Sequence, residues 1–311
     1  MILTYLILRF NEVRVLITGA SGFVGKILVN KLLKLGIKIL AISRKNLDKS
    51  YTQKINWIKA DLSNKASYQN QVSQFAPEVV IHLAWQDIPD FSPEKCNINL
   101  DQSLQFVQFV SSIKCCKKIL FSGSCLEYDN LVGECIETKK IEIFKNYFSF
   151  AKNSLLKKTQ IICKKNSIIF GWFRIFYVYG PGQRPNSLLP SILTYLKMSK
   201  LPIITSPFNS NDYIYIDDVA NAFVKATINN FPSGIFNLGS GYSTSVVQIC
   251  RYAEKIVLNS SILSGELEAN SKYKRSDVNF WACNKKALKF LNWQPEISLI
   301  DGINKTWNSL K

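Results

Sequence analysis

Histidine and paired cysteines, which build most protein zinc sites, are nearly missing from this sequence of 311 residues. The chain has one histidine, His82, and its eight cysteines include no C-x-x-C pair. This spacing cannot assemble a zinc site, so we predict that the protein holds no metal. Reduced thiols, as expected for a cytoplasmic protein, are the simplest account of the eight cysteines.

Long hydrophobic runs are also absent. The apolar stretch at residues 1–10 is too short to span a bilayer, and it lacks the basic start and the small-residue cleavage site of a secretory signal. We treat residues 1–12 as an N-terminal extension, either an extra edge segment or the product of an upstream start codon. These features predict a cytoplasmic protein that does not associate with membranes.

Arginine is scarce, although the formal net charge is +17. Only seven of the 39 basic residues are arginine, and the lysines are scattered in ones and twos, as at Lys117-Lys118 and Lys285-Lys286. Because no basic cluster is interleaved with aromatic residues, we predict no nucleic-acid partner. The positive charge is instead expected to favour solubility and a mild attraction for phosphorylated ligands.

Apolar runs and amphipathic stretches alternate along the first 180 residues, without linkers or internal repeats. The pattern predicts strands near 13–18, 37–43, 55–59, 79–84, 119–122 and 168–176, and helices near 23–35, 65–75, 94–112 and 148–163. This alternation is typical of an α/β protein with a doubly wound parallel sheet. Beyond residue 182 the elements become shorter, and two late helices near 284–291 and 298–309 indicate a smaller C-terminal lobe.

Three glycines follow the first predicted strand and open the first helix. Gly19, Gly22 and Gly25 have the spacing G-x-x-G-x-x-G, with Ser21, Phe23 and Val24 between them. Glycine allows a tight turn and close approach of the backbone to a pyrophosphate, and the helix N-terminus supplies free N–H groups. The segment therefore predicts a dinucleotide-binding turn.

Further ordered segments make residues 13–311 resemble the extended short-chain dehydrogenase/reductase superfamily, of the NAD-dependent epimerase/dehydratase type. The matching segments are Asp61-Leu62, His82-Leu83-Ala84-Trp85, Asn97-Ile-Asn99, Arg174 to Gln183, Asp212 to Ala220, Asn237 to Gly241 and Leu291 to Pro295. The resemblance implies a Rossmann-type domain at 13–179 plus about 211–238. It also implies a substrate lobe at about 180–210 plus 239–311, a nucleoside-diphosphate sugar as substrate, and a homodimer.

The resemblance also assigns the cofactor contacts. Asp61 and Leu62 would contact adenine, and Leu83 and Ala84 would line the cofactor. The second strand ends at Ser43-Arg44, without the carboxylate that usually favours NAD by accepting from the ribose 2′-hydroxyl. Because Arg44 is suited to neutralise a 2′-phosphate, we predict NADP, with NAD as the alternative.

The catalytic residues of the family are only partly present. The resemblance assigns Ser124 to the substrate oxygen, and Lys152 to the nicotinamide ribose and to activation of a tyrosine four residues earlier. That position holds Phe148, and Tyr147 is rotated from it by about 100° on a helix. Three explanations remain: an irregular helix start that lets Tyr147 serve, replacement by Tyr128 or by water held at Ser124, or loss of turnover.

The predicted class of reaction follows from a second difference between this sequence and the family pattern. Relatives that dehydrate nucleotide sugars carry Asp-Glu directly after the catalytic hydroxyl, and this chain has Cys125-Leu126. The sequence is closer to a branch that reduces nucleoside-diphosphate 4-keto-6-deoxysugars, with 4-epimerisation or non-catalytic nucleotide binding as alternatives. The expected substrate contacts are Trp85, Ser124, Tyr177, Arg184, Lys274 and Arg275.

Overall fold

The computed structural model describes residues 13–44, 55–129, 131–139, 141, 143–274 and 278–311. Its strands are β1 Arg14–Thr18, β2 Lys38–Ser43, β3 Asn56–Lys59, β4 Val79–His82, β5 Lys118–Ser124, β6 Val132–Cys135, β7 Ile169–Ile175, β8 Tyr177–Tyr179, β9 Ser210–Asn211, β10 Tyr213–Tyr215, β11 Gly234–Leu238, β12 Thr244–Ser245 and β13 Asn279–Ala282. Its α-helices are α1 Phe23–Lys34, α2 Gln69–Phe75, α3 Pro93–Ser111, α4 Tyr147–Lys165, α5 Leu188–Leu196, α6 Ile216–Ile228, α7 Val246–Leu258, α8 Ile262–Ala269, α9 Lys285–Leu291 and α10 Leu299–Asn308. The predicted extension at 1–12 lies outside the described residues.

One parallel sheet organises the larger part of the chain. Its strand order is β11-β7-β5-β4-β1-β2-β3 among the described residues. Val15, Leu16 and Ile17 are fully buried, as expected for a strand covered on both faces. One core packs α1 and α6 against the sheet, and a second core packs α3 and α4 against its other face. The predicted doubly wound α/β fold is confirmed.

The strand order of the sheet reverses at β1, and this reversal determines where a ligand crevice forms. β4 and β2 both pair with β1, so the chain winds away from β1 in two directions. Connections at such a point leave a crevice at the carboxyl ends of the strands, where ligands of open α/β sheets bind. The glycine turn follows β1 at this edge.

Two smaller sheets among the described residues draw all their strands except β6 from the C-terminal half of the chain. β12, β9, β13 and β6 form one sheet, and β8 pairs with β10. A separate core contains Tyr179, Ile192, Tyr215, Ile249 and Ile303, drawn from β8, α5, β10, α7 and α10. None of the described helices is both long enough and apolar enough to cross a membrane.

The helix that carries Lys152 begins one residue earlier than the sequence pattern predicts. Asn146 is its N-cap, since the Ser149 backbone N–H donates to Asn146 Oδ1 at 2.8 Å. Such a cap satisfies one of the free N–H groups of the first turn. The helix therefore starts regularly at Tyr147.

Candidate dinucleotide and substrate site

The turn after β1 depends on the small size of its glycines. Gly19 has a φ of +71°, and a Cβ there would lie 2.8 Å from the backbone nitrogen of Ala84. A Cβ on Gly25 would lie 2.2 Å from the carbonyl oxygen of Gly19. Gly22 is the N-cap of α1, and it makes no side-chain capping hydrogen bond to the first turn. The free N–H groups of the helix remain available for an anion.

A cavity of about 270 Å³ adjoins this turn. Its lining includes nine of the residues predicted to bind the cofactor: Gly19, Ser21, Gly22, Ser43, Arg44, Asp61, Leu62, Leu83 and Ala84. Predicted contacts outside the lining are Phe23, Val24, Gly25 and Lys152. Gln86, Asn99, Gln102 and Ser103 also line it, although none of them was predicted to contact the cofactor. Asn99 lies in one of the segments that resemble the family.

Polar groups ring the outer part of this cavity. The hydroxyls of Ser21 and Ser43 lie 2.7 Å apart, and the Arg44 guanidinium donates to Gln86 Oε1 at 2.5 Å. Partial burial acts to raise the pKa of Asp61, but hydrogen bonds from Ser63 and the charge of Arg44 outweigh it and hold this pKa below its ordinary value. Asp61 is therefore ionised beside Arg44.

His82 is buried at the end of β4 and is fully hydrogen-bonded. Its Nδ1 lies 2.8 Å from Thr18 Oγ1, and its Nε2 lies 3.0 Å from Ser103 Oγ. Burial, together with the charge of Lys152, lowers its pKa to about 3. A neutral, fully engaged ring orders the strand end, and it is not suited to proton transfer with a ligand.

Ser124 is held by a buried carboxylate. The Ser124 backbone N–H donates to Glu127 Oε1 at 2.7 Å, and the Leu126 backbone N–H donates to Ser124 Oγ at 3.2 Å. Glu127 is completely buried and pairs with Arg174, whose Nε lies 2.9 Å from Oε2. Sequence reasoning missed this pair, although an acid three residues after Ser124, at the end of a buried strand, was a usable signal.

Lys152 reaches the same edge of the sheet from α4. Its side chain is buried, and Nζ donates to the carbonyl oxygen of Ser122 at 2.9 Å. The ring of Trp85 covers the ammonium, with Nζ 3.9 Å from the ring centroid. Burial lowers the pKa of Lys152 to about 8, although the negative charge of Glu127 acts in the opposite direction.

Phe148 occupies the inward position one helical turn before Lys152. It is 4% exposed, and its ring lies 4.5 Å from that of Phe91 and 5.5 Å from that of Trp85, measured between centroids. Tyr147, in contrast, is 55% exposed. Since α4 starts regularly, the geometry does not bring Tyr147 to Ser124 and Lys152 as its predicted catalytic role requires.

Tyr128, the other tyrosine considered as a replacement for the catalytic one, does not line the cofactor cavity. Tyr128 is 1% exposed, and its hydroxyl donates to Asn237 Oδ1 at 2.9 Å. The Arg174 guanidinium lies 4.4 Å from its ring centroid, and burial raises the pKa of Tyr128. This hydroxyl is part of the buried network, and it is not presented to the cofactor cavity.

A second cavity, of about 510 Å³, lies beside β8, α5 and α7. It is lined by neutral residues, among them Tyr177, Tyr213 and Gln183. Of the predicted phosphate contacts, Arg184 is exposed and donates to the carbonyl of Ile88, while Lys274 is exposed and lines neither cavity. Arg275 lies outside the described residues. The structure therefore brings Tyr177, but neither Arg184 nor Lys274, into a cavity.

The parallel sheet, the glycine turn and the cavity at the switch point define a Rossmann-type nucleotide-binding protein. The chain belongs to the NAD dependent epimerase/dehydratase family, whose model matches residues 15–239. The predicted family is thus confirmed. No group of three or more His, Cys, Asp or Glu side chains that could hold a metal occurs among the described residues.

Similar proteins cover nearly the whole chain. It is 25% identical to UDP-glucuronate 4-epimerase of Thermodesulfobacterium geofontis, over 94% of each protein. It is 26% identical to dTDP-4-dehydro-6-deoxyglucose reductase of Escherichia coli, over 96% of this chain and 97% of the relative. A solved structure with a TM-score of 0.78 and 23% identity is a Tyr-to-Phe mutant of Bacillus cereus UDP-glucuronic acid 4-epimerase, in complex with UDP-4-deoxy-4-fluoro-glucuronic acid and NAD. That match covers 96% of this chain and 98% of the solved one.

Proposed function

We propose that this protein is an NAD(P)-dependent oxidoreductase that reduces the C4 ketone of a nucleoside-diphosphate 4-keto-6-deoxysugar. The observation that carries the proposal is the pairing of a buried Lys152 with Phe148 where the family places a tyrosine. Reduction needs a proton donor at the ketone oxygen, whereas epimerisation must begin with a base that removes a hydroxyl proton. Lys152, with a pKa of about 8, is mainly an ammonium at neutral pH and suits donation.

The bound nicotinamide would supply the hydride, and the residues around it would orient the ketone and deliver the proton. Ser124 would hydrogen-bond the ketone oxygen, a role supported by the hydrogen bonds that fix its loop at the end of β5. Lys152 or a water held by Ser124 would then donate the proton that turns the alkoxide into a hydroxyl. Trp85 would face the sugar, because it lies between the cofactor cavity and Lys152.

The cavity by the glycine turn is proposed to hold the adenosine and pyrophosphate end of a dinucleotide. We propose NADP as the preferred cofactor because Arg44 follows the last residue of β2 and supplies a cation where NAD-specific proteins supply a carboxylate. The hydroxyls of Ser21 and Ser43 would share the 2′-phosphate. NAD is the alternative, and it is the cofactor held by the Bacillus cereus neighbour.

The neutral second cavity is proposed to take the nucleobase and sugar end of the substrate, within the lobe at about 180–210 plus 239–311. Tyr177 offers an aromatic surface for this purpose. Arg184, Lys274 and Arg275 remain proposed contacts of the substrate pyrophosphate, and Arg184 would exchange the Ile88 carbonyl for a phosphate oxygen.

A second candidate function is nucleotide-sugar binding without turnover. It is favoured by the packing of Phe148 against Phe91 and Trp85, which leaves no phenolic hydroxyl beside Lys152 within the described residues. A 4-epimerase, the activity named for several similar proteins, is the third candidate, and it requires a base that can take a proton from a substrate hydroxyl, whereas Phe148 has no ionisable group.

The test is NADPH oxidation with dTDP-4-dehydro-6-deoxyglucose, the compound named for the Escherichia coli relative, with other nucleoside-diphosphate 4-keto-6-deoxysugars in parallel. Turnover with formation of the 4-hydroxy sugar is the expected result. NADPH binding without turnover by any 4-ketosugar would instead favour the binding protein. Conversion of UDP-glucuronate or UDP-glucose into its C4 epimer would favour the epimerase.

A further inference from the structure

A buried charge network lies directly behind Ser124. Both Glu127 oxygens receive the Trp172 indole N–H, at 3.0 and 2.9 Å, and Oε2 also receives Arg174 Nε at 2.9 Å. The remaining contact, from the Ser124 N–H to Oε1, ties this network to the loop that carries the Ser124 hydroxyl. A carboxylate held by three N–H donors, one of which is shared between its two oxygens, has very little freedom to move.

The neighbouring backbone is shaped around this carboxylate. A Cβ on Gly123 would lie 2.7 Å from Glu127 Oε1 and 2.2 Å from Trp172 Nε1, so only glycine fits there. From α4, Asn153 Nδ2 donates to the Glu127 carbonyl oxygen at 3.0 Å. Because Asn153 follows Lys152 in the chain, the same residue Glu127 connects the Ser124 loop to the helix that carries the lysine.

The network also bears on the charge of Lys152. Burial disfavours its ammonium, whereas the negative charges of Glu127 and of any Cys96 thiolate favour it. Within the described part of the chain, His82 is also close enough for its pKa to be lowered by the charge of Lys152, and it is neutral because that pKa is about 3. Trp85 adds a neutral ring face at 3.9 Å. Glu127 is thus the carboxylate that opposes the cost of burying this cation.

We propose that Glu127 is a positioning residue of the reaction site, which fixes the Ser124 loop and keeps Lys152 protonated for its role as proton donor. Glu127 is completely buried and therefore does not touch the substrate. It acts through Ser124 and Lys152, in a chain that lacks the tyrosine which would otherwise stand between them. The effect of Glu127 on turnover, through the Ser124 loop, rests on the proposed reductase function. Its electrostatic effect on the protonation of Lys152 does not depend on that function.

The electrostatic part is tested by NMR titration of protein labelled with ¹³C at the lysine Cε, with Lys152 assigned by its loss in Lys152→Arg. In Glu127→Gln the titration midpoint of Lys152 should fall by about one pH unit, as removal of a nearby opposite charge predicts. The matched control is Glu254→Gln, another fully buried carboxylate, which accepts from Leu263 and Ser264 at the start of α8. A folded Glu127→Gln with an unchanged Lys152 midpoint would overturn the proposal.

The positioning part uses a second variant that keeps the charge. Glu127→Asp withdraws the carboxylate by one methylene, so kcat for the 4-ketosugar should fall about 10-fold while the Lys152 midpoint and NADPH affinity stay unchanged. An unchanged kcat in Glu127→Asp would contradict the role at Ser124. If the unaltered protein has no turnover but Glu127→Gln still moves the Lys152 midpoint, the reductase proposal fails and the electrostatic role of Glu127 stands.

Discussion

The two ends of the cofactor crevice are built on different principles. At the glycine turn, recognition depends on backbone shape, and Gly19 and Gly25 leave no room for a side chain. At the Ser124 end, function depends on which side chains occupy a packed space, and there Phe148 stands beside Trp85 and Lys152 where the family resemblance predicts a tyrosine. The comparison teaches that the chain has the glycine turn typical of its fold, while the position one helical turn before Lys152 holds a phenylalanine without a proton to exchange.

The largest expected effect comes from restoring the phenol. Phe148→Tyr should raise kcat for the 4-ketosugar by about 10²–10⁴, since this is the usual contribution of a positioned general acid. The measurement is the initial rate of NADPH oxidation at saturating substrate. Phe150→Tyr, at a 42% exposed position of the same helix, is the matched control and should leave kcat unchanged. An equal rate in Phe148→Tyr and the unaltered protein would mean that the site does not use a phenol.

The glycine turn gives the next effect. Gly25→Ala should weaken NADPH binding by about 100-fold, or about 3 kcal/mol. The new Cβ would clash with the carbonyl oxygen of Gly19, and a backbone atom cannot move away without distorting the turn. Fluorescence titration with NADPH measures it. Gly265→Ala in α8 is the same substitution in open space and should leave affinity unchanged. Unaltered binding in Gly25→Ala would refute the role given to this turn.

Cofactor choice should respond to Arg44 alone. Arg44→Ala is expected to weaken NADPH binding about 10-fold, or about 1.4 kcal/mol, and to leave NADH binding unchanged, because only NADPH carries the 2′-phosphate. Competitive titration of the two cofactors measures the ratio. Lys34→Ala, at an exposed position of α1, controls for the loss of one positive charge. Equal weakening for both cofactors would contradict the preference for NADP.

The smallest expected effect concerns the single histidine, His82, which we expect not to titrate near neutral pH. The His82 ring resonance should not titrate between pH 8 and pH 5, because its folded-state pKa lies near 3. A depressed pKa means that the folded state loses stability as pH falls from about 6.5 towards 3, where the unfolded chain binds the proton more readily. Unfolding of His82→Gln should therefore depend less on pH over that range. A His82 midpoint near 6.5 would show that the ring is not buried as described.

The fold and the glycine turn were accessible to sequence reasoning because each rests on a repeated local pattern. Buried parallel strands appear in the sequence as continuous apolar runs, and the three glycines have the G-x-x-G-x-x-G spacing directly after such a run. The reaction end was less accessible. Phe148 rather than Tyr147 lies on the same side of the helix as Lys152 because the helix is regular from its N-cap at Asn146, and the sequence pattern did not fix that start. The pairing of Glu127 with Arg174 joins residues 47 positions apart. Such contacts are set by tertiary packing, which no local spacing reveals.

The central claim is that hydride is delivered to C4 of a nucleotide sugar without a phenolic acid. It is tested most directly by supplying NADPH deuterated at the transferable position together with dTDP-4-dehydro-6-deoxyglucose, and by locating the deuterium in the sugar by mass spectrometry and NMR. The account predicts one deuterium at C4 of the product formed by the unaltered protein, at a rate that rises in Phe148→Tyr. No deuterated sugar from either protein, with the NADPH still bound, would contradict it.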